Sequence, residues 1–555
     1  MKAIIYTLLI VVLMALATTS CKKEVEKIPF ERNDLDNIFD VRDSNADQAK
    51  KYLYGIYTYL PEIYGRLNGG FLESATDDGV HINFDNTTGS FRQNWVSSRN
   101  VFEGTLWAQN YEGIRRANVF LANIDKVPVR PAVLKPQMKS EARFLRAYFY
   151  FELLKRWGGV PVVNDAVYEF DSKIDIPRKT AGETFDYIIS ELDAAVEDAL
   201  PLAQPDVTWG MVSRGGIMAL KSRVLLYKAS PLFNTGNNVD YWREASVAAK
   251  QILDANYYSL ASNYITLFNS VRLTGTAREI IFTKIKTAGI GIETLNGPVS
   301  YVQGSGGANN PSQNLVDAYL MKTTGKRINE AGSGYDPAHP YADRDDRFAA
   351  SIFYNGKSWF NRPVQTYDGG LDNPFNTQNK TRTGYYLRKF MGAFETSASI
   401  SNQTHNHILF RLGEIMLNYA EAENELNGPG ETSSPVYQQL INIRKRAGVA
   451  AGVDALYGLP VAATKDEMRE IIRNERRIEL AFEEHRFWDI RRWKIAETVM
   501  NQPVKGMRIT NGSTLTYNIF NVEQSTFDAS KMYWYPIPFS EIQRNPSLTQ
   551  NPNWN

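Results

Sequence analysis

Asp77 and Asp78 stand side by side in "LESATDDG", with Glu73 just upstream, and form the best carboxylate cluster of the 555-residue chain. Hydrolysis of a glycosidic bond needs two carboxyl groups facing each other across it, about 5–10 Å apart. Adjacent residues on one segment point in different directions, so this pair cannot serve alone, and no second carboxylate is marked as its partner. Either Asp could hold sugar hydroxyls; the plainer role is capping a turn or a helix end. Of the five histidines, His405 and His407 would share one side of a strand, an arrangement that permits a metal. No cysteine and no third ligand accompany them, so no metal and no cofactor is expected. The glycines of "QGSGGANNP" lack the Lys-Ser/Thr ending of a phosphate loop and read as a flexible turn. No Gly-x-Ser-x-Gly nucleophile elbow occurs, and no catalytic residue is assigned.

Charge and rings offer two further candidates. In Asn474-Glu475-Arg476-Arg477, Glu475 falls on the helix face that carries Met468, Ile471, Ile478 and Phe482. A carboxylate on an apolar face must be paired, so an internal ion-pair network is expected here rather than a catalytic or anion site. Aromatic residues make up 12% of the chain. Those in polar loops, off any helical stripe, can act as flat binding platforms, and sugars suit such platforms because their C–H faces stack on rings. Trp95 in "GSFRQNWVSSRN" leads, with Asn94 and Arg92 beside it; Tyr301, Trp359 and Tyr367 follow, and Asp77, Asp78 and His81 join them as polar candidates. The competing role for each is to plug its loop into the scaffold.

The elements that position these residues can be read from periodicity and caps. Trp107, Tyr111, Ile114, Asn118 and Leu121 recur at helical spacing. "MKSEARFLRAYFYFELLKRWGG" is apolar on most sides, which marks a central helix, and Gly158-Gly159 followed by Pro161 ends it. "ETFDYIISELDAAVEDALP", "GIMALKSRVLLYKASP", "DYWREASVAAKQILDAN" and "ILFRLGEIMLNYAEAENELNGPG" continue the pattern. Ser434-Pro435 starts another helix. Thr464 and Glu467 form a capping box for a helix read through to Trp493. Short links imply antiparallel helical hairpins, of lengths similar to tetratricopeptide pairs, although no clean repeat is visible. Long polar segments at 84–100, 289–314, 329–346, 361–383 and 501–530 are expected to be ordered loops with short strands.

With 62 basic and 61 acidic residues and no basic tract, nucleic acid is excluded as a partner. The single cysteine, Cys21, follows Met1-Lys2, an apolar run of about fourteen residues and Thr18-Thr19-Ser20. The run is too short to span a bilayer, which takes roughly 20 residues, but suits a secretory signal. It resembles a bacterial lipoprotein signal, in which the cut falls before a lipid-bearing Cys. Residues 1–20 are therefore expected to be a signal peptide, Cys21 the lipid attachment site and 21–35 a tether.

"RFLRAYFYFELLKRWGGVPVV", "SRGGIMALKSRVLLYKASPLF", "RLGEIMLNYAEAENEL", "INIRKRAG", "IRNERRIELAFEEHRFWDIRRWK" and "YPIPFSEIQRNPSLTQNP" occur in the order found in the SusD/RagB family. "LESATDDG" and "NPSQNLVDAYLMKTTGKRI" resemble family segments too, so the similarity runs from about Tyr52 to the C-terminus. It implies a mostly α fold: a tetratricopeptide-like helical-hairpin scaffold plus an irregular, loop-rich region with short strands. It implies an N-terminal region over 36–275 and a C-terminal region over 276–555, packed as one unit. It further implies a lipid-anchored outer-membrane protein, facing the cell exterior, that captures an oligosaccharide and delivers it to a SusC-like TonB-dependent transporter. The family has no fixed ligand motif, so no contact residue is carried over. The alternatives are an outer-membrane interaction scaffold and a glycoside hydrolase.

Overall fold

The structure is a computed structural model that describes residues 35–168, 172–203, 206–269, 278–302, 306–375 and 380–554. Cys21, the expected signal and nearly all of the tether lie outside the described residues. Among those described, no helix is long and apolar enough to cross a membrane.

The protein is mostly helical. Thr105–Asn123 packs on Leu134–Trp157, and Ala181–Val196, Arg214–Ala229 and Val239–Asp254 follow as neighbours in turn. Leu412–Asn427 closes on Val239–Asp254, and Pro435–Arg446 and Lys465–Glu479 pack against it. The Leu134–Trp157 helix is buried on nearly every side over its second half. It approaches its neighbour closely because Gly113 has no side chain: a Cβ there would lie 2.5 Å from the Phe149 ring. Its stop is Gly158, at φ 73°, a conformation that costs glycine little. Both capping devices form as read: Ser434 accepts from Tyr437 N–H with Pro435 in the first turn, and Thr464 and Glu467 bond reciprocally.

Three elements depart from the sequence reading. Residues 408–411 are not helical; His407–Arg411 is a buried strand paired antiparallel with Ile280–Lys284, and the helix begins only at Leu412. The 501–530 segment is a long hairpin, Pro503–Asn511 with Leu515–Gln524, rather than a loop with short strands. The helix read through to Trp493 stops at Glu479, and Arg486–Arg492 is separate. No glycine or proline marks that break. Phe482 and Glu484 take positive φ, 63° and 62°, a conformation costing roughly 1–2 kcal/mol in a non-glycine residue. Ion pairs offset the cost. Glu479 and Glu483 both accept from Arg411, and Lys389 Nζ reaches Glu483 at 2.7 Å. The Glu484 carboxylate pairs with Arg66.

One strand pair, Gly79–His81 with Asn309–Pro311, joins the early and late parts of the chain. So does the main core, where Phe144 and Tyr148 meet Phe282 and Phe410 edge to face.

Glu475 is buried and paired, as its helix face requires: Arg347 Nη1 donates to it at 2.7 Å and Arg444 Nε at 2.9 Å. Glu475→Ala leaves Arg444 without its carboxylate partner among the described residues and takes from Arg347 one of three, the others being Asp345 and Glu479; breaking a buried pair costs about 3–5 kcal/mol. Chemical denaturation should show a loss of that order; a variant as stable as the parent would refute the structural role.

Glu141 is a buried carboxyl without a cationic partner among the described residues. Burial pushes it up to about 8, and the Tyr57 hydroxyl that donates to it reverses only part of the rise. A carboxyl raised in this way stabilises the fold below its unfolded pKa, and that contribution is lost as pH rises toward 8. The slope is about 1.4 kcal/mol per pH unit across roughly pH 5–8. Glu141→Gln should therefore flatten the fall in melting temperature over this window. An unchanged pH profile would contradict the assignment.

Candidate functional site

The loop from Asn83 to Trp95 is built outward from a short helix. Asn86 Oδ1 accepts from Thr88 N–H at 3.0 Å and caps Thr87–Arg92. The Phe84 carbonyl folds back onto Gly89, leaving no room for a Cβ there. After the helix, Asn94 turns the chain at φ 58°, a left-handed conformation that Asn tolerates better than most residues. Trp95 N–H then donates to the Ser90 carbonyl at 2.9 Å. The turn sends Phe91 and Arg92 inward and Trp95 outward. Trp95 is 56% exposed and Phe84 43%, and their rings meet edge to face at 5.8 Å.

Polar groups rim this corner. The Arg382 guanidinium lies 5.8 Å from the Phe84 ring; it donates to the His81 carbonyl and to Glu523, each at 2.9 Å. Glu523 also takes Arg92 Nε at 2.8 Å, so one carboxylate secures both arginines under the loop. Gln93 Nε2 donates to the Gln524 carbonyl at 2.9 Å. Asn94 Oδ1 is buried with no hydrogen-bond partner among the described residues. The arrangement offers two ring surfaces and amide and guanidinium groups at their edges. It can hold a flat, hydroxyl-rich molecule, and neither ring carries an ionisable group in the physiological range.

Of the residues picked from sequence, Trp95 alone is classed as exposed, with Asn94 half-buried beside it. The others are set deeper. Arg92 is buried in its pair with Glu523. Asp77 and Asp78 are buried as well. Arg486 grips Asp77 through Nε and Nη2, both at 2.9 Å, and Arg477 bridges the two carboxylates at 2.7 Å to each. Burial pushes the Asp77 carboxyl up, but Arg477 and Arg486 outweigh it and hold it at about 2. The pair is a lock between the 73–79 segment and the Arg-rich helices. Neighbouring Glu73, pushed up to about 8 by burial, accepts from Glu484 N–H.

His81 is buried and accepts from Asn83 N–H at 3.1 Å. Trp359 is 0% exposed, packed among Tyr301, Phe353 and Phe360. Tyr301 is half-buried, with Arg362 3.5 Å over its ring and its hydroxyl donating to the Arg362 carbonyl at 3.0 Å. Tyr367 is half-buried and donates to Gln365 Oε1 at 3.2 Å. His405 and His407 do not converge: the first meets Glu293 at 3.0 Å, the second the Pro61 carbonyl at 3.1 Å. Part of the Gly-rich segment is a strand rather than a turn, since Asn309–Pro311 pairs with Gly79–His81.

Sequence reasoning missed Phe84, Gln93 and Arg382. Phe84 carried the same signal as Trp95, a ring between Asn and Asp outside a helical stripe. Arg382 comes from a distant segment and carried none.

Fold and site together define a helical-hairpin scaffold that displays aromatic side chains on ordered loops. Residues 279–554 match the family model described as the SusD family, and residues 44–226 match one described as starch-binding, associating with outer membrane. Among relatives of similar sequence, SusD-like protein P38 of Formosa agariphila is 24% identical over 523 residues, covering 91% of each chain. SusD-like protein P2 of the same organism is 27% identical over 467 residues, covering 81% of this chain and 80% of its own. A solved SusD-like protein from Bacteroides fragilis superposes with a TM-score of 0.78 at 26% identity, over 94% of this chain and 99% of that one. A laminarin-binding SusD-like protein gives 0.65 at 22% identity, over 92% and 100%. The chain belongs to the SusD/RagB family.

Proposed function

We propose that the protein is a glycan-binding lipoprotein of the outer membrane. It captures an oligosaccharide at the Phe84–Trp95 corner, without chemistry, and passes it to a SusC-like TonB-dependent transporter. The observation that carries the reading is the pair of exposed rings, held in place from beneath by the Arg92–Glu523–Arg382 fork. A pre-positioned platform loses little freedom when a sugar stacks on it. The starch-binding description of the matched family model and the laminarin-binding relative support a glycan as ligand. The locked state of Asp77 and Asp78 speaks against hydrolysis, because both carboxylates are already engaged by arginines. Lipid on Cys21 would tether the chain: each buried CH₂ of an acyl chain contributes about 0.8 kcal/mol, and two or more chains make a stable anchor.

Calorimetry on the purified protein with maltohexaose and laminarihexaose, preceded by a glycan array, tests the site. Trp95→Ala should cost about 2 kcal/mol, roughly a 30-fold loss of affinity, with its melting temperature preserved. Affinity should change little between pH 6 and 8. Unaltered binding by Trp95→Ala would move the site elsewhere, and no retention of any glycan on the array would favour a protein-interaction scaffold.

Cys21→Ala should leave the protein uncleaved or released from the membrane fraction. Wild-type fractionation and processing of that variant would remove the lipid anchor from the proposal.

A further inference from the structure

The two exposed rings stand over positive charge that the fold leaves partly unanswered. Arg92 and Arg382 both depend on one carboxylate, Glu523: Arg92 Nε reaches it at 2.8 Å and Arg382 Nη2 at 2.9 Å. Their other side-chain bonds go to neutral carbonyls, those of Thr76 and Gly79 for Arg92 and that of His81 for Arg382. A third guanidinium, Arg491, lies behind them, 4.9 Å from the Phe91 ring. It is buried, donates to the Phe487 carbonyl at 2.8 Å and pairs with no carboxylate among the described residues. Burial pulls it down to about 9, and Tyr535 and Glu103 oppose this only in part. Arg92 is also drawn below the usual arginine range, by burial first, with Arg382 pushing the same way against Glu523 and Asp77.

Neighbouring groups do not make up the difference. Asp77 and Asp78 are matched by Arg477 and Arg486. Burial draws His81 down, so it carries no balancing charge of either sign. Asp85 stands exposed on the loop, where water weakens its pull. Three guanidinium groups are thus set against one buried carboxylate.

Arg382 is the one of the three that a ligand can reach. Its side chain is 21% exposed, against 1% for Arg92. It lies 5.8 Å from the Phe84 ring, which in turn meets Trp95. Arginine carries five N–H donors in a planar fork. Here Nη1 serves the His81 carbonyl and Nη2 serves Glu523, while Nε bonds to no described residue. A sugar stacked on the two rings brings its substituents to this edge. A hydroxyl there would gain an ordinary hydrogen bond. A carboxylate or sulfate would gain a charge-assisted one, roughly twice as strong, and would answer the unmatched positive charge as well.

We propose that the corner selects glycans bearing an anionic group, a uronate carboxylate or a sulfate ester, and that Arg382 reads that group. The proposal rests on the glycan-binding reading of the same corner.

Paired oligosaccharides on an array, followed by calorimetry on the purified protein, test it. Hexagalacturonate and hexamannuronate with their neutral methyl esters form the carboxylate arm. Hexamers of κ-carrageenan and isomaltose, sulfated and unsulfated, form the sulfate arm. Maltohexaose and laminarihexaose are the neutral references. In at least one arm the charged member should bind about tenfold tighter than its neutral partner, the difference between a charged and a neutral hydrogen bond. That ratio should shrink as NaCl rises from about 50 to 500 mM, because salt screens exposed charge. Trp95→Ala should weaken both members of a pair. Arg382→Gln should bring the charged-to-neutral ratio to about one, whatever it does to affinity overall, and Arg382→Lys should keep the ratio well above one; a merely structural role for Arg382 would leave the ratio unmoved. A preference confined to one arm upholds the proposal and identifies the anion. Equal binding within every pair, or retention of neutral glycans only, overturns it and leaves the glycan reading standing. A preference that survives Arg382→Gln overturns it too. No Trp95-dependent retention of any glycan sinks the glycan reading at this corner, and the proposal with it.

Discussion

Glu479 carries its charge with no exposure to solvent, and three guanidinium groups converge on it. Arg411 reaches it at 2.7 Å, Arg347 at 3.1 Å, and Arg446 closes the set. Burial alone would push this carboxyl up; the three arginines more than reverse that and hold it well below the usual carboxylate range. Taking ions out of water costs several kcal/mol each, recovered only when geometry and hydrogen bonds are nearly complete. The demand therefore constrains backbone. Arg347 comes from the Asp346–Ser351 helix, Arg411 from the end of a strand and Arg446 from the last turn of another helix. Each of these elements must arrive where its arginine can reach.

The same constraint extends toward the surface. Glu479 ends its helix, and the strained turn that follows carries Glu483 and Glu484 to Arg411, Lys389 and Arg66. On either side of that turn, Arg477 and Arg486 hold Asp77 and Asp78. The 73–79 segment is thereby fixed, and the Gly79–His81 strand runs straight from it into the loop of Phe84 and Trp95. The exposed rings stand at the end of a chain of buried charge pairs. The proposed ligand corner is thus positioned by ions buried behind it.

Much of the scaffold was legible from local chemistry. The Gly158 stop, the Ser434-Pro435 start and the Thr464–Glu467 box satisfy backbone groups within a few residues, so the sequence alone states them. The pairing of Glu475 was legible too, because a carboxylate on an apolar helix face has no other stable state; its partners, Arg347 and Arg444, were not. The break after Glu479 was hidden, since its stabilisation comes from residues tens to hundreds of positions away and no glycine or proline records it.

Trp95 and Trp359 show where sequence stops. Each follows a polar residue in a loop that carries Asn, and by composition they are similar candidates. One is 56% exposed and the other 0%: Phe353 and Phe360 close over Trp359, while among the described residues Phe84 is the one ring that meets Trp95. The aspartate pair differs in the same way. Sequence showed two adjacent carboxylates, and only the fold supplied the two arginines that turn them from a candidate sugar contact into a lock. Sequence by itself determined the family, the helical scaffold and the need to pair Glu475, since these follow from periodicity, ordered motifs and the cost of burying charge. Which rings meet solvent, and which carboxylates are left free, was decided by tertiary structure alone, because exposure belongs to whatever packs against a residue and not to its neighbours in the chain.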